Sequence, residues 1–305
     1  MRTHHSFSRA IALASGLSLA AAATWAQAPA APPAAAKKKA APAKTTPPPP
    51  RPTPETKAVD ILKATCQKLA AAKSMSFKAL GAYEVPSLWG PPLIYGRIYE
   101  VALQRPDKLR VITVADGPRT EFYDDGKVMM SFHPAENLVA VTDAPPTIEG
   151  ALEKLFNVSG TYFPFTDIVV ADPWGDMQPG LTGAFYVSES QLIGGVTTDV
   201  VAYEDDGVFI QMWIGKDDKL PRMVRAQFHD DPLQLRQSVQ FTDWQLDAAV
   251  APDGFTTAKA AAADKIAFSH PRMKPDTPAG AHPIGSGAKK KTPALAVPKP
   301  TPAAH

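Results

Sequence analysis

Residues 205–246 read DDGVFIQMWIGKDDKLPRMVRAQFHDDPLQLRQSVQFTDWQL, and this stretch decides the fold class. Short runs rich in Val, Ile, Phe and Trp alternate with acidic punctuation at Asp205-Asp206-Gly207, Asp217-Asp218 and Asp230-Asp231. Successive pairs are 12 and 13 residues apart, the pitch of an antiparallel meander with short hairpins. The spacing predicts strands over 208–215, 220–229 and 233–246. Calcium binding would need six or more oxygens converging on one point. One pair per turn predicts solvated turns, and no metal site or cofactor is expected.

The same pattern continues upstream. Residues 93–103 (LIYGRIYEVAL), 108–115, 127–133 and 137–142 carry β character, with another turn at Asp124-Asp125-Gly126. Ahead of them, Val59, Leu62, Cys66 and Leu69 recur at helical spacing and predict an amphipathic helix over 56–72. Cys66 is the sole cysteine, so no intrachain disulfide exists, and its place on the apolar stripe predicts a small core residue. Between the β blocks, Thr147–Asn157 has a helical apolar pattern in Ile148, Leu152, Leu155 and Phe156, with Thr147 as cap. Residues 161–170 (TYFPFTDIVV) are almost wholly apolar and predict a second short helix that packs against the sheet or closes it.

Strand 208–215 looks apolar on both faces: Val208, Ile210, Met212 and Ile214 point one way, Phe209 and Trp213 the other. A sheet with one solvated face should alternate cleanly. Either helices cover the inner face or an apolar cavity lies between sheet and helices, and the two are compatible.

Composition divides the chain. The 32 prolines concentrate at the ends, ten in residues 29–54 and eight in 271–305. Residues 55–270 hold 19 basic against 29 acidic residues, net −10, whereas 29–54 and 271–305 each carry net +5. An acidic core between basic tails argues against nucleic acid as partner. Residues 1–26 have a basic start, the apolar run AIALASGLSLAAAA at 10–23 and small residues after it, the layout of a secretory signal peptide cleaved after Ala26. The apolar run is shorter than the ~20 residues a membrane span needs. The expected organisation is a signal peptide (1–26), a Pro/Ala/Lys-rich linker (27–55), one domain (56–270) and a basic disordered tail (271–305), exported to the periplasm as a monomer. The tails are either solvated linkers or electrostatic contacts to an anionic membrane surface or cell wall.

The order of several short motifs resembles exported proteins of the outer-membrane lipoprotein-carrier superfamily, and more closely a periplasmic family of unknown function within it. The motifs are Arg105-Pro106-Asp107-Lys108-Leu109-Arg110-Val111, Tyr123 to Lys127, Asn137-Leu138, Ala144-Pro145, Trp213-Ile214, Lys219 to Arg222 and Asp243-Trp244. In the family a helix ends in residues like Ser74-Met75-Ser76-Phe77. The resemblance covers about residues 57–268 and implies a mainly β (α+β) fold. It is an incomplete antiparallel β-barrel, a curved meander sheet with an N-terminal helix and helices over its concave face. It also implies an apolar ligand such as a lipid, acyl chain or lipoprotein, with Arg105 helping to hold a helical lid shut. A local bond from Arg105 to Asp107 is the alternative. Candidate lining residues are Tyr99, Leu155, Phe163, Met212, Trp213 and Phe228, with Arg105 at the rim. The sequence departs from the family after Phe255, where Thr-Thr-Ala-Lys-Ala-Ala-Ala-Ala-Asp replaces a more apolar strand. No H-E-x-x-H, G-x-S-x-G, Walker or dinucleotide fingerprint occurs. A non-catalytic carrier is therefore expected, with a structural or interaction module of the cell envelope as the alternative.

Overall fold

The structure, a computed structural model, describes residues 53–115, 117–251 and 253–269. The expected signal peptide, most of the linker and the basic tail lie outside the described residues. Helix α1 (Thr56–Ala71) buries Ala58, Leu62, Thr65, Cys66 and Leu69, a stripe at helical spacing. The backbone N–H of Glu55, just before it, donates to the Ala184 carbonyl at 2.8 Å, and the Glu55 carboxylate accepts from the Tyr186 N–H at 2.6 Å.

Two meanders follow. The first comprises β1 (Ser74–Val85), β2 (Leu93–Gln104), β3 (Lys108–Thr113), β4 (Thr120–Asp125), β5 (Val128–His133) and β6 (Leu138–Asp143). Three helices come next: α2 (Ile148–Ser159), α3 (Thr166–Val169) and α4 (Pro173–Met177). The second meander is β7 (Leu181–Ser190), β8 (Thr198–Asp205), β9 (Val208–Gly215), β10 (Pro221–Phe228) and β11 (Arg236–Leu246). A short α5 (Ala258–Ala261) and β12 (Asp264–Ile266) end the domain.

All twelve strands join one curved sheet in the order β12-β6-β5-β4-β3-β2-β1-β11-β10-β9-β8-β7. Every pairing is antiparallel except β12 on β6. The two meanders meet where β11 returns beside β1, Met75 opposite Leu246 and Tyr83 opposite Gln237. The sheet does not close into a barrel; β7 and β12 remain its edges. The segment after Phe255, where the sequence leaves the family pattern, makes α5 and adds β12 to the far edge.

The concave face carries the main core. Met75, Phe77 and Ala79 of β1, Tyr99, Val101 and Leu103 of β2, and Val239 and Phe241 of β11 pack against Ile148, Leu152 and Leu155 of α2 and Ile168 of α3. At the other end of the same face, Ala58 and Leu62 of α1 meet Val201, Tyr203, Ile210 and Met212. A separate cluster, Ile112, Tyr123, Met130, Phe132 and Val139 with Ala260 and Ala263, shows α5 covering the convex side of β3–β6. Thr147 caps α2, its hydroxyl accepting from the Gly150 N–H at 3.2 Å. Gly160 ends α2 in the left-handed region (φ 69°) that its missing Cβ permits.

Two expectations are corrected. Ser74–Phe77 do not end a helix: they open β1, with Met75 and Phe77 buried and Lys78 exposed, a period of two. The sequence pattern does not predict strands β1, β4, β7, β8 and β12, which the structure adds. β8 is buried along nearly its whole length and so shows no alternation, and β7 is broken by two register shifts against β8.

Candidate functional site

Helices α1, α3 and α4 and the α2–α3 connection roof the concave face, and a cavity of about 70 Å³ lies beneath them. Leu62, Cys66 and Leu69 of α1 form one wall, Pro164, Phe165 and Ile168 the roof, and Ile210, Met212, Val224 and Phe241 the floor. The volume is well under the roughly 300–1,000 Å³ of pockets that hold small-molecule ligands. The roof is therefore packed down on the sheet, with room beneath it for no more than a small group.

The packing is largely aromatic. Phe163 and Phe165 stack with centroids 5.5 Å apart, Phe165 meets Phe77 and Tyr99 edge-on at 5.6 and 5.4 Å, and Phe163 reaches Phe122 at 5.9 Å. Trp244 joins them through a kink in β11. The β1–β11 register shifts between Ser76 and Lys78, and Asp243 takes a left-handed φ of 57° with its carboxylate 3.1 Å from Lys78 Nζ. The extra residue turns Trp244 onto the Phe77 ring at 4.5 Å, on the same face as Phe241, and its indole N–H donates to the Pro221 carbonyl at 2.9 Å.

Arg105 ties the roof to the sheet. It lies just beyond the end of β2; its Nε donates to the Ala72 carbonyl at 3.2 Å, Nη1 to the Val169 carbonyl at 3.0 Å and Nη2 to the Val170 carbonyl at 2.8 Å. One planar guanidinium thus satisfies carbonyls at the C-terminal ends of both α1 and α3. Burial lowers its pKa, while Glu149 acts in the opposite direction. The Glu149 carboxylate in turn accepts from the Ala171 N–H at 2.5 Å, one residue beyond the clasped carbonyls. The alternative bond to Asp107 is not what the structure shows.

The other candidates fall in three places. Met212 lines the cavity. Tyr99, Leu155 and Phe163 lie in the packed contact between roof and sheet, and Phe228 flanks the cluster beneath α1. Trp213 alternates with Met212 on β9 and faces the opposite side of the sheet, opposite Val200 and Met223; it is buried but away from the cavity. Sequence reading missed Asp167, Tyr162 and Tyr203, which line the cavity. Asp167 had a visible signal: it is the lone charge in the apolar run 161–170. Burial, then the Asp205 and Asp176 carboxylates, raise its pKa well above the ordinary carboxylate range. Cys66 is also in the wall, free and buried, its thiol pushed up to about 12 mainly by burial and secondarily by Asp172. That is the reverse of what a nucleophilic cysteine needs. Among the described residues, no group of His, Cys, Asp and Glu is placed to hold a metal ion.

This sheet and roof span residues 56–266, and residues 58–269 match a family described as predicted periplasmic proteins, DUF2092. The chain belongs to that family. Its periplasmic location follows, and among the described residues no helix is long and apolar enough to cross a membrane. No curated protein matches the chain. Several solved structures are similar to it at low identity. LprF from Mycobacterium bovis is 12% identical, covering 67% of this chain and 100% of its own, with a TM-score of 0.42. An uncharacterized conserved protein from Thermus thermophilus is 12% identical over 69% of this chain and 99% of its own, at 0.38. A putative outer membrane lipoprotein-sorting protein domain from Vibrio parahaemolyticus is 12% identical over 65% and 96%, at 0.32.

Proposed function

We propose that this protein binds and carries an apolar ligand, a lipid or acyl chain, in the periplasm and does no chemistry on it. The reading is carried by one observation: a roof that closes on an apolar floor is clasped at its rim by a single guanidinium bonded to three carbonyls. Hydrogen bonds from a charged donor contribute roughly 1.5–3 kcal/mol each at most, so the clasp holds the roof and can be given up when ligand fills the space. On this reading the cavity of about 70 Å³ belongs to the shut state. Opening separates the Phe163–Phe165 face from Tyr99 and Phe122, and those side chains with Leu155 and Met212 then line the ligand's path. Net transfer of a buried apolar chain gains about 0.8 kcal/mol per CH₂, so a long acyl chain offsets the contacts that opening breaks.

Native mass spectrometry of protein purified from the periplasm tests this. Co-purifying lipid mass supports the carrier. A bare polypeptide mass that also takes up no added fatty-acid probe argues instead for a packed module that docks other envelope components.

A further inference from the structure

The cavity contains three polar groups that its apolar lining does not explain. The carboxyl of Asp167 and the hydroxyls of Tyr162 and Tyr203 all line it, and none has a hydrogen-bond or ionic partner among the described residues. They are close enough to sense one another: Asp167 is the first charge acting on both tyrosines, after burial itself. The charges acting on Asp167 are carboxylates too, Asp205 on β8 and Asp176 on α4. A carboxyl in such a place is costly unless something pairs with it. Nothing in the described chain does so. Left alone, the Asp167 carboxyl meets that cost by keeping its proton, and a cationic donor in the cavity is what lets it ionise.

From this geometry we propose that the cavity is the head-group pocket for amphiphiles with an ammonium head, Asp167 supplying the countercharge and Tyr162 and Tyr203 the polar lining. The proposal rests on the apolar-ligand reading above and adds the class of head group. An ammonium brings donors for the carboxylate and both hydroxyls, and aromatic rings beside it are favourable to a cation. A carboxylate or phosphate head would bring a negative charge to a carboxyl whose ionisation burial and the nearby Asp205 and Asp176 already oppose. The size also fits. About 70 Å³ holds a small head and its first carbons, whereas the tail requires the roof to rise along Phe165, Ile210 and Met212.

The test titrates the full chain with dodecylammonium, dodecanol and dodecanoate, each below its micellar concentration, in buffer with enough salt to screen surface charge. Wild type should bind dodecylammonium about tenfold or more tighter than dodecanoate, with dodecanol between them. Asp167→Asn keeps the shape and removes the charge; it should bring the three affinities to within about twofold of one another. Tyr203→Phe, which keeps the ring, should reduce the ammonium advantage by about threefold and serves alone if the Asn variant does not fold. Equal binding of all three by wild type, or an ammonium advantage that survives both substitutions, overturns the head-group assignment and leaves the carrier standing. Failure of all three to bind removes both.

Discussion

Burial of single groups sets the protein's expected responses to mutation and pH. Trp213 is 8% exposed and lies on the face away from the cavity. Its replacement by Ala should cost about 3–5 kcal/mol in urea unfolding and leave uptake of a fluorescent fatty-acid probe at the wild-type level. Asp124 is fully buried on β4 between Leu109 and Met129, with one carboxylate oxygen lacking any hydrogen-bond partner among the described residues. Burial pushes its pKa up to about 7; Asp125 and Asp107 push in the same direction, and the Gly126 N–H opposes them. A folded-state pKa above the unfolded value of 3.8 means the fold prefers the protonated carboxyl. The resulting stabilisation is complete below about pH 4 and is lost as pH rises through about 7. Asp205, also buried and raised to about 7, adds to the same slope. Urea midpoints should therefore fall between acid and neutral pH, and Asp124→Asn should flatten part of that fall; a wild-type slope in the variant would mean that Asp124 is hydrated and titrates normally.

Among the elements, α3 is the one whose hold can be loosened without removing core atoms. Arg105→Leu deletes the bonds to Ala72, Val169 and Val170, while Phe163, Phe165 and Ile168 stay packed. We expect faster uptake of the fatty-acid probe in stopped-flow mixing, with the sheet's circular-dichroism spectrum retained. Unchanged uptake kinetics would make Arg105 a cap for two helix ends and nothing more. Legibility in the sequence followed how each element is solvated. Strands β2, β9 and β10 and helices α1 and α2 show their period because one side meets water or a turn interrupts them on schedule. β8 hides because it is buried almost throughout, and β1 because its first residues follow directly on α1. The position of Arg105 was legible through its motif. Its bonding partners were not, since Val169 and Val170 are more than sixty residues away and only the roof's path brings their carbonyls there. Trp213 shows the converse limit: alternation separates the two faces of β9 but does not say which one looks at the helices.

At the scale of the whole molecule, charge divides an acidic domain of net −10 from basic ends of +5 each. If those ends serve as tethers or spacers, deleting 29–54 and 271–305 should leave thermal unfolding of the domain nearly unchanged. It should weaken salt-sensitive binding to anionic vesicles, by about 1 kcal/mol for each Lys or Arg that sits near the surface. A large drop in the unfolding temperature would instead place a tail against the domain. One consequence follows from the shortness of α3. Four residues carry both Asp167, which lines the cavity, and the Val169 carbonyl held, with that of the next residue, by Arg105. Such a segment cannot shift at one end and stay put at the other, so if the pocket takes a head group, its occupancy and closure of the clasp form a thermodynamic pair. By reciprocity, if a bound head group loosens the clasp by some factor, then breaking the clasp must tighten head-group binding by that same factor. Any neighbour in the envelope that engaged Arg105 would then alter how firmly the cargo is held without touching it.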